Sequence, residues 1–156
     1  MKKTIFLLIA LFLVSSVSFS QTISKGKVPK EVKKTFATDY SKAVKPEWSR
    51  SDDNYKVEFF VNGIKNSVTY DESGKWLVKK MSISSVKVPK EIKATVSKEF
   101  AGFRSSDAEL ITAPDNSLQY HLVIKKGKEA YDVYFSVAGE ILKKEPKSDA
   151  QSTNKK

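Results

Sequence analysis

No cysteine occurs anywhere in the 156 residues. That removes disulfides, thiol nucleophiles and every Cys-ligated metal. It also removes the acylation route of a bacterial lipoprotein, which needs a Cys to modify. Histidine is almost as scarce, His121 being the only one. With no second His or Cys it completes no metal set, and no serine stands at a hydrolase spacing from it. It reads as a strand residue on a solvated or half-buried face, dispensable to function. The six glycines form no phosphate-cradling loop. Asp52, Asp53 and Asn54 lack the alternating oxygens and distal Glu of a calcium loop and read as turn formers. Arg50 and Arg104 are the only arginines behind a net charge of +10. A lysine excess of this kind solubilises a surface, whereas readers of nucleic acid need arginine forks. No catalytic residue, metal ligand or cofactor is therefore expected, and no nucleic-acid partner.

What is present begins with a leader. Lys2 and Lys3 precede the apolar stretch Ile5 to Val14, and Ser18 and Ser20 supply the small residues for cleavage before Gln21. The stretch is short of the about 20 residues that span a bilayer. A periplasmic or secreted protein is expected, cleaved after Ser20, with no membrane span left.

The mature part then repeats itself. Lys27-Val28-Pro29-Lys30-Glu31-Val32-Lys33-Lys34-Thr35 returns 60 positions later as Lys87-Val88-Pro89-Lys90-Glu91-Ile92-Lys93-Ala94-Thr95. At a spacing of 65, Tyr55 answers to Tyr120, Val68 to Val133, Tyr70 to Phe135, Gly74 to Gly139 and Leu77 to Leu142. A repeat this long is a supersecondary unit used twice. The expected organisation is a leader over 1–20, one unit over 21–83, a second over 84–145, and a disordered lysine-bearing tail over 146–156.

Each unit opens with an amphipathic helix. Val28, Val32, Phe36 and Tyr40 recur every four residues, as do Val88, Ile92, Val96 and Phe100. Phe36 and Phe100 are expected to anchor the two helices at matching places. Period-two strands follow: Tyr55, Val57, Phe59 and Val61 point one way, Lys56, Glu58 and Asn62 the other. Asn62-Gly63 predicts a two-residue hairpin, and Asp71 to Gly74 a second turn. The second unit reads likewise, with turns at Pro114 to Asn116, Lys126-Gly127 and Ala138-Gly139. The fold class is α+β: a tandem repeat of one helix plus about four antiparallel strands.

The order of a Val-Pro-Lys-Glu helix start, Trp48, Tyr55-x-Val57-x-Phe59, Asn62-Gly63, Tyr70-Asp71 and Gly74-Lys75-Trp76-Leu77 resembles the PepSY-like family, also described as β-lactamase-inhibitor-like. The resemblance runs from about Val28 to Lys144, although the second unit lacks counterparts of Trp48 and Trp76. It implies secreted or periplasmic proteins of Bacteroidetes-type bacteria, helix-plus-sheet units, and no established catalytic residues. By analogy with PepSY domains of peptidase propeptides, it also implies restraint of a peptidase or another envelope enzyme.

If the Tyr55 series faces the helix, Phe60 shares its side with Lys56 and Glu58, and Val123 does the same in the second unit. Phe60, Trp76 and Trp48 are thus candidate partner-binding residues on an uncovered sheet face, with one of Trp76 and Leu77 pointing outward. The competing expectation is that these aromatics fill the groove between the units. Three functions stay open: a non-catalytic protein-binding or inhibitory protein, an envelope structural protein on anionic glycolipid, and, least favoured, a hydrolase.

Overall fold

A computed structural model describes residues 21–147; residues 1–20, where a leader is expected, and the residues from 148 onward, which include most of the expected tail, lie outside the described residues. The described chain runs β1 (Gln21–Ile23), a 3-10 turn (Lys25–Lys27), α1 (Lys30–Asp39), then β2 (Val44–Ser51), β3 (Asn54–Val61), β4 (Ile64–Tyr70) and β5 (Trp76–Ser82). A second 3-10 turn (Ser85–Lys87) leads into α2 (Lys90–Glu99), β6 (Arg104–Thr112), β7 (Leu118–Lys126), β8 (Glu129–Ser136) and β9 (Ile141–Pro146). All nine strands form one antiparallel sheet in sequence order. The middle joint is made by β5 and β6, through Lys79↔Thr112 to Ser82↔Glu109.

The helices form where the apolar stripe predicts. Pro29 and Pro89 sit in extended conformation as N-caps, so each helix starts one residue later than a proline at its first position would give. Each proline carbonyl accepts the first helical bond, from Lys33 N and from Lys93 N. Glu31 and Glu91 occupy the first turns, where the helix dipole favours a carboxylate. Asn62 and Gly63 both take positive φ, 51° and 77°, as their two-residue hairpin requires.

Both helices lie on one face. Under α1, Val28, Val32 and Phe36 pack on Trp48, Tyr55, Val57, Phe59, Val68 and Tyr70. Under α2, Val88, Ile92 and Phe100 pack on Ala108, Leu122, Ile124, Val133 and Phe135. Cross-strand pairs carry the face from one core to the other: Phe59↔Asn66, Asn66↔Met81, Met81↔Leu110, Leu110↔Tyr120, Tyr120↔Phe135.

The two cores solve one packing problem in opposite ways. The first pairs small Ala43 with large Trp48, while the positions 60 residues on carry large Phe103 and small Ala108. A shared device closes each helix C-terminus. Lys79 Nζ stands 6.0 Å from the Tyr40 ring centre and 4.3 Å from that of Trp76. Lys144 Nζ stands 5.2 Å from that of Phe100 and 4.2 Å from that of Tyr131.

Two expectations are corrected and one strand is added. Phe36 and Phe100 do not occupy matching places: Phe36 lies within α1 and Phe100 is the C-cap of α2, so Phe100 corresponds to Tyr40. The tail begins later than expected, because Pro146 pairs with Tyr131 in β9 and Lys147 N donates to the Ala130 carbonyl at 2.8 Å. Pro146 is tolerated there because β9 is an edge strand. Finally, β1 is a strand that three residues of sequence did not announce; it pairs Ile23 with Trp48.

The first core carries a cost the second avoids. Tyr70 is fully buried and its hydroxyl has no hydrogen-bond partner among the described residues. Burial, with Tyr40 and Asp39 nearby, holds that hydroxyl well above the usual phenol range. Phe135, 65 residues on, is equally buried without a hydroxyl. Tyr70→Phe is therefore expected to leave stability unchanged or raise it by about 1 kcal/mol, since an unpaired buried polar group costs about that much or more. Urea unfolding of the two proteins checks this, and a loss above about 1 kcal/mol would show that the hydroxyl is paired.

Candidate functional site: the open sheet face

Because both helices cover one face, strand alternation leaves the other face without a covering element among the described residues. On β3 this open face carries Lys56, Glu58 and Phe60, opposite in register to Thr69, Ser67 and Lys65 of β4. On its other side Phe60 pairs with Val44 of β2. Phe60 is 37% exposed and Val44 55%, so together they form an apolar spot beside charged neighbours. The charges are tied to one another. Glu58 is paired with Lys56 and, at 2.7 Å, with Lys65. Burial opposes ionisation of Glu58, but hydrogen bonds from the two lysines outweigh it and bring its pKa down to about 2. The stability Glu58 contributes is full above its ordinary range and is lost only as pH falls towards that value.

The two tryptophans are not on this face. Trp48 is 4% exposed in the first core, edge-on to Phe36 at 5.3 Å. A bulge between Val44 and Glu47, with Lys45 at φ 52°, sets the β2 register that turns Trp48 inward. Trp76 pairs with Tyr70 and packs against the first core, on the helix-bearing face. A second bulge, between Thr69 and Tyr70, breaks the alternation of β5 there, leaving Leu77 out of the pairing and Val78 opposite Thr69 on the open face. Of the three candidate residues, the structure thus leaves Phe60 alone on the open face. Val123 does lie on this side, paired with Asp107 and Asp132, but is only 2% exposed.

The open face also holds a cluster that the sequence did not reveal. His121 Nδ1 is 3.0 Å from Glu109 Oε2 and its Nε2 is 2.7 Å from Asp132 Oδ1. Its ring stacks on Tyr134 at 4.7 Å, and Lys147 Nζ reaches Asp132 at 3.6 Å. One imidazole thereby ties β6, β7 and β8 together. The hydrogen bond with His121 is the largest cause holding the Glu109 carboxyl below the usual range; burial opposes it and Lys80 assists. Glu109 and Asp132 lie 12 and 11 residues from His121 in the chain. Only the pairings Glu109↔His121 and His121↔Tyr134 bring them together, so no spacing rule would have found them. Among the described residues no group of three or more His, Asp or Glu side chains is placed to hold a metal ion. The arrangement sets an imidazole between two carboxylates within hydrogen-bonding distance, on the same face as the apolar spot at Phe60 and Val44.

Comparison with known proteins places this architecture. The family model described as "Putative beta-lactamase-inhibitor-like, PepSY-like" matches residues 17–60 and 53–143. The chain belongs to that family. A solved structure described as of "putative periplasmic proteins" from Bacteroides eggerthii is similar over 81% of this chain and 94% of its own, at 20% identity and a TM-score of 0.74. A DUF2874 family protein from Bacteroides ovatus follows at 78% and 89% coverage, 21% identity and a TM-score of 0.70. A BLIP-like protein from Bacteroides fragilis covers 80% and 91%, at 18% identity and a TM-score of 0.66. No curated protein matches the sequence. The fold is therefore BLIP-like, a nine-stranded antiparallel sheet with two helices. None of these descriptions names a catalytic activity. No helix among the described residues is long and apolar enough to cross a membrane.

Proposed function

We propose that this is a non-catalytic binding protein of the periplasm or cell exterior, which engages a protein partner through the open sheet face. The mature chain is two copies of one helix-plus-four-strand unit, exported by a leader cleaved after Ser20. The partner class is an envelope enzyme, such as a peptidase, held in check by the bound sheet. One observation carries the reading: Phe60, an aromatic 37% exposed, sits on the face that neither helix covers. Its neighbours Lys56, Glu58 and Lys65 are already paired with one another. A partner therefore meets an aromatic anchor beside one carboxylate shared by two lysines, and aromatic anchors are enriched among interface hot spots.

The test is Phe60→Ser. A position this exposed contributes little to folding, so the thermal midpoint should stay within a few degrees. Capture of the protein's partner from envelope extract should weaken by at least about fivefold, equivalent to 1 kcal/mol or more. A mutant that unfolds, yet binds normally wherever it stays folded, would place Phe60 in the core and the binding face elsewhere.

A further inference from the structure

The charge of the molecule is sorted by side. Over the described residues, 24 lysines and arginines stand against 17 acidic residues. The two helical segments with their flanking turns, 25–42 and 85–103, hold ten lysines against four acids; the strands and their turns hold 14 against 13. Nearly the whole positive excess therefore lies on the face that carries both helices. Lys30 and Lys34 of α1 and Lys90 and Lys93 of α2 are all exposed. In these segments, among the described residues, only Lys90 and Lys98 meet a carboxylate, at 4.0 and 3.2 Å. On the sheet, by contrast, Lys56 and Lys65 pair with Glu58, Lys143 with Glu145 and Lys147 with Asp132. Solubility needs charge, but not charge confined to one side.

An apolar residue stands among these cations. Val86, in the 3-10 turn before α2, is 83% exposed, more than any other large apolar residue described. Its carbonyl accepts a hydrogen bond from Lys93 Nζ at 3.2 Å, and Lys87 follows it in the chain. The turn does not need a valine to form, since the same turn before α1 has Gly26 at that place.

A protruding valine gains nothing from water or from a soluble polyanion. It gains from an apolar phase lying behind a layer of negative charge. Lysine suits such a layer as well as arginine would, because mobile headgroups offer no fixed geometry for a guanidinium fork to match. We propose that the helix-bearing side rests on an anionic phospholipid surface, with its lysines at the headgroups and Val86 at the boundary with the acyl chains. The open face then points away from the bilayer. The docking does not depend on the function proposed for that face.

The experiment uses the mature chain, vesicles of phosphatidylcholine alone or mixed with phosphatidylglycerol, and heparin as a soluble polyanion. Sedimentation should show binding to the mixed vesicles only, weakening as salt is added. A lysine at an anionic surface is worth about fivefold in binding. Lys30→Gln combined with Lys34→Gln should therefore weaken it about tenfold or more. Lys80→Gln combined with Lys125→Gln takes the same charge from the open face and should weaken it less than about threefold. Lys90→Gln with Lys93→Gln replaces the first pair if that variant fails to fold. Because the chain has no cysteine, a polarity-sensitive dye is attached through Val86→Cys or, separately, Phe60→Cys. Its emission should shift to the blue on the mixed vesicles at position 86 and stay unchanged at position 60. Equal binding to both kinds of vesicle would overturn the proposal, as would equal losses from the two faces or a shift at position 60 instead of 86. Heparin binding as tight as vesicle binding, with no shift at position 86, would also overturn it, by making a charged polymer the occupant.

Discussion

Replacing Phe36 by alanine should lower the unfolding free energy by about 3–5 kcal/mol, the range for emptying a buried aromatic site. Phe36 is 9% exposed, and three rings close on it: Tyr40 at 5.7 Å, Trp48 at 5.3 Å and Phe59 at 5.0 Å. The last two meet it edge to face, which adds to the burial term. These neighbours come from the C-cap of α1, from β2 and from β3, so no single element can move to fill the void. The whole change should appear as a cooperative shift of the urea midpoint with an unchanged slope. A loss below about 1 kcal/mol would mean that α1 is not fastened to the sheet through this ring.

The next largest effect is expected from a residue without a side chain. Gly139 adopts φ 85°, and a Cβ built on it would lie 2.8 Å from both the carbonyl carbon and oxygen of Glu91. Both contacts are backbone, so relief requires the hairpin or the first turn of α2 to move. Thr95 Oγ1 donates to the Gly139 carbonyl at 2.8 Å and would be displaced with it. The left-handed conformation costs an L-residue about 1–2 kcal/mol and the overpacking about 1–3 kcal/mol more. Gly139→Ala should therefore destabilise by about 2–5 kcal/mol. Gly74→Ala should lose a similar amount, since its Cβ would come within 2.9 Å of the Glu31 carbonyl oxygen. Gly63 offers the contrast: its φ is also positive, at 77°, but a Cβ there meets nothing within 4 Å. Gly63→Ala should cost only the conformational part. If thermal unfolding ranked Gly63→Ala with the other two, close approach to the helix would not be what those glycines serve.

How far the sequence carried depends on how local each cause was. Asn62-Gly63, Asp71 to Gly74 and the four-residue stripes of α1 and α2 act through near neighbours, and they form as read. The open face and Phe60's place on it followed from simple alternation along β3, which has no bulge between Tyr55 and Val61. The tryptophans escaped because their strands are irregular: bulges near Lys45 and at Tyr70 decide which way Trp48 and Trp76 turn. Matching Phe36 with Phe100 mistook one helical turn for another, since Phe36 corresponds to Val96 and Tyr40 to Phe100. His121 is a case of a different kind. Taken alone it had no partner at any motif spacing; it acquired two carboxylates and a ring only when β6, β7 and β8 were set side by side.

The claim that the open face is where a partner binds has a direct measurement. A photoreactive phenylalanine analogue is placed at position 60 of the exported protein, and in a parallel strain at position 34, an exposed lysine of α1 on the covered side. Irradiation of intact envelopes should give one discrete protein adduct from position 60 and none of that mass from position 34. Adducts of the same mass from both positions, or from position 34 alone, would contradict the assignment of the binding face.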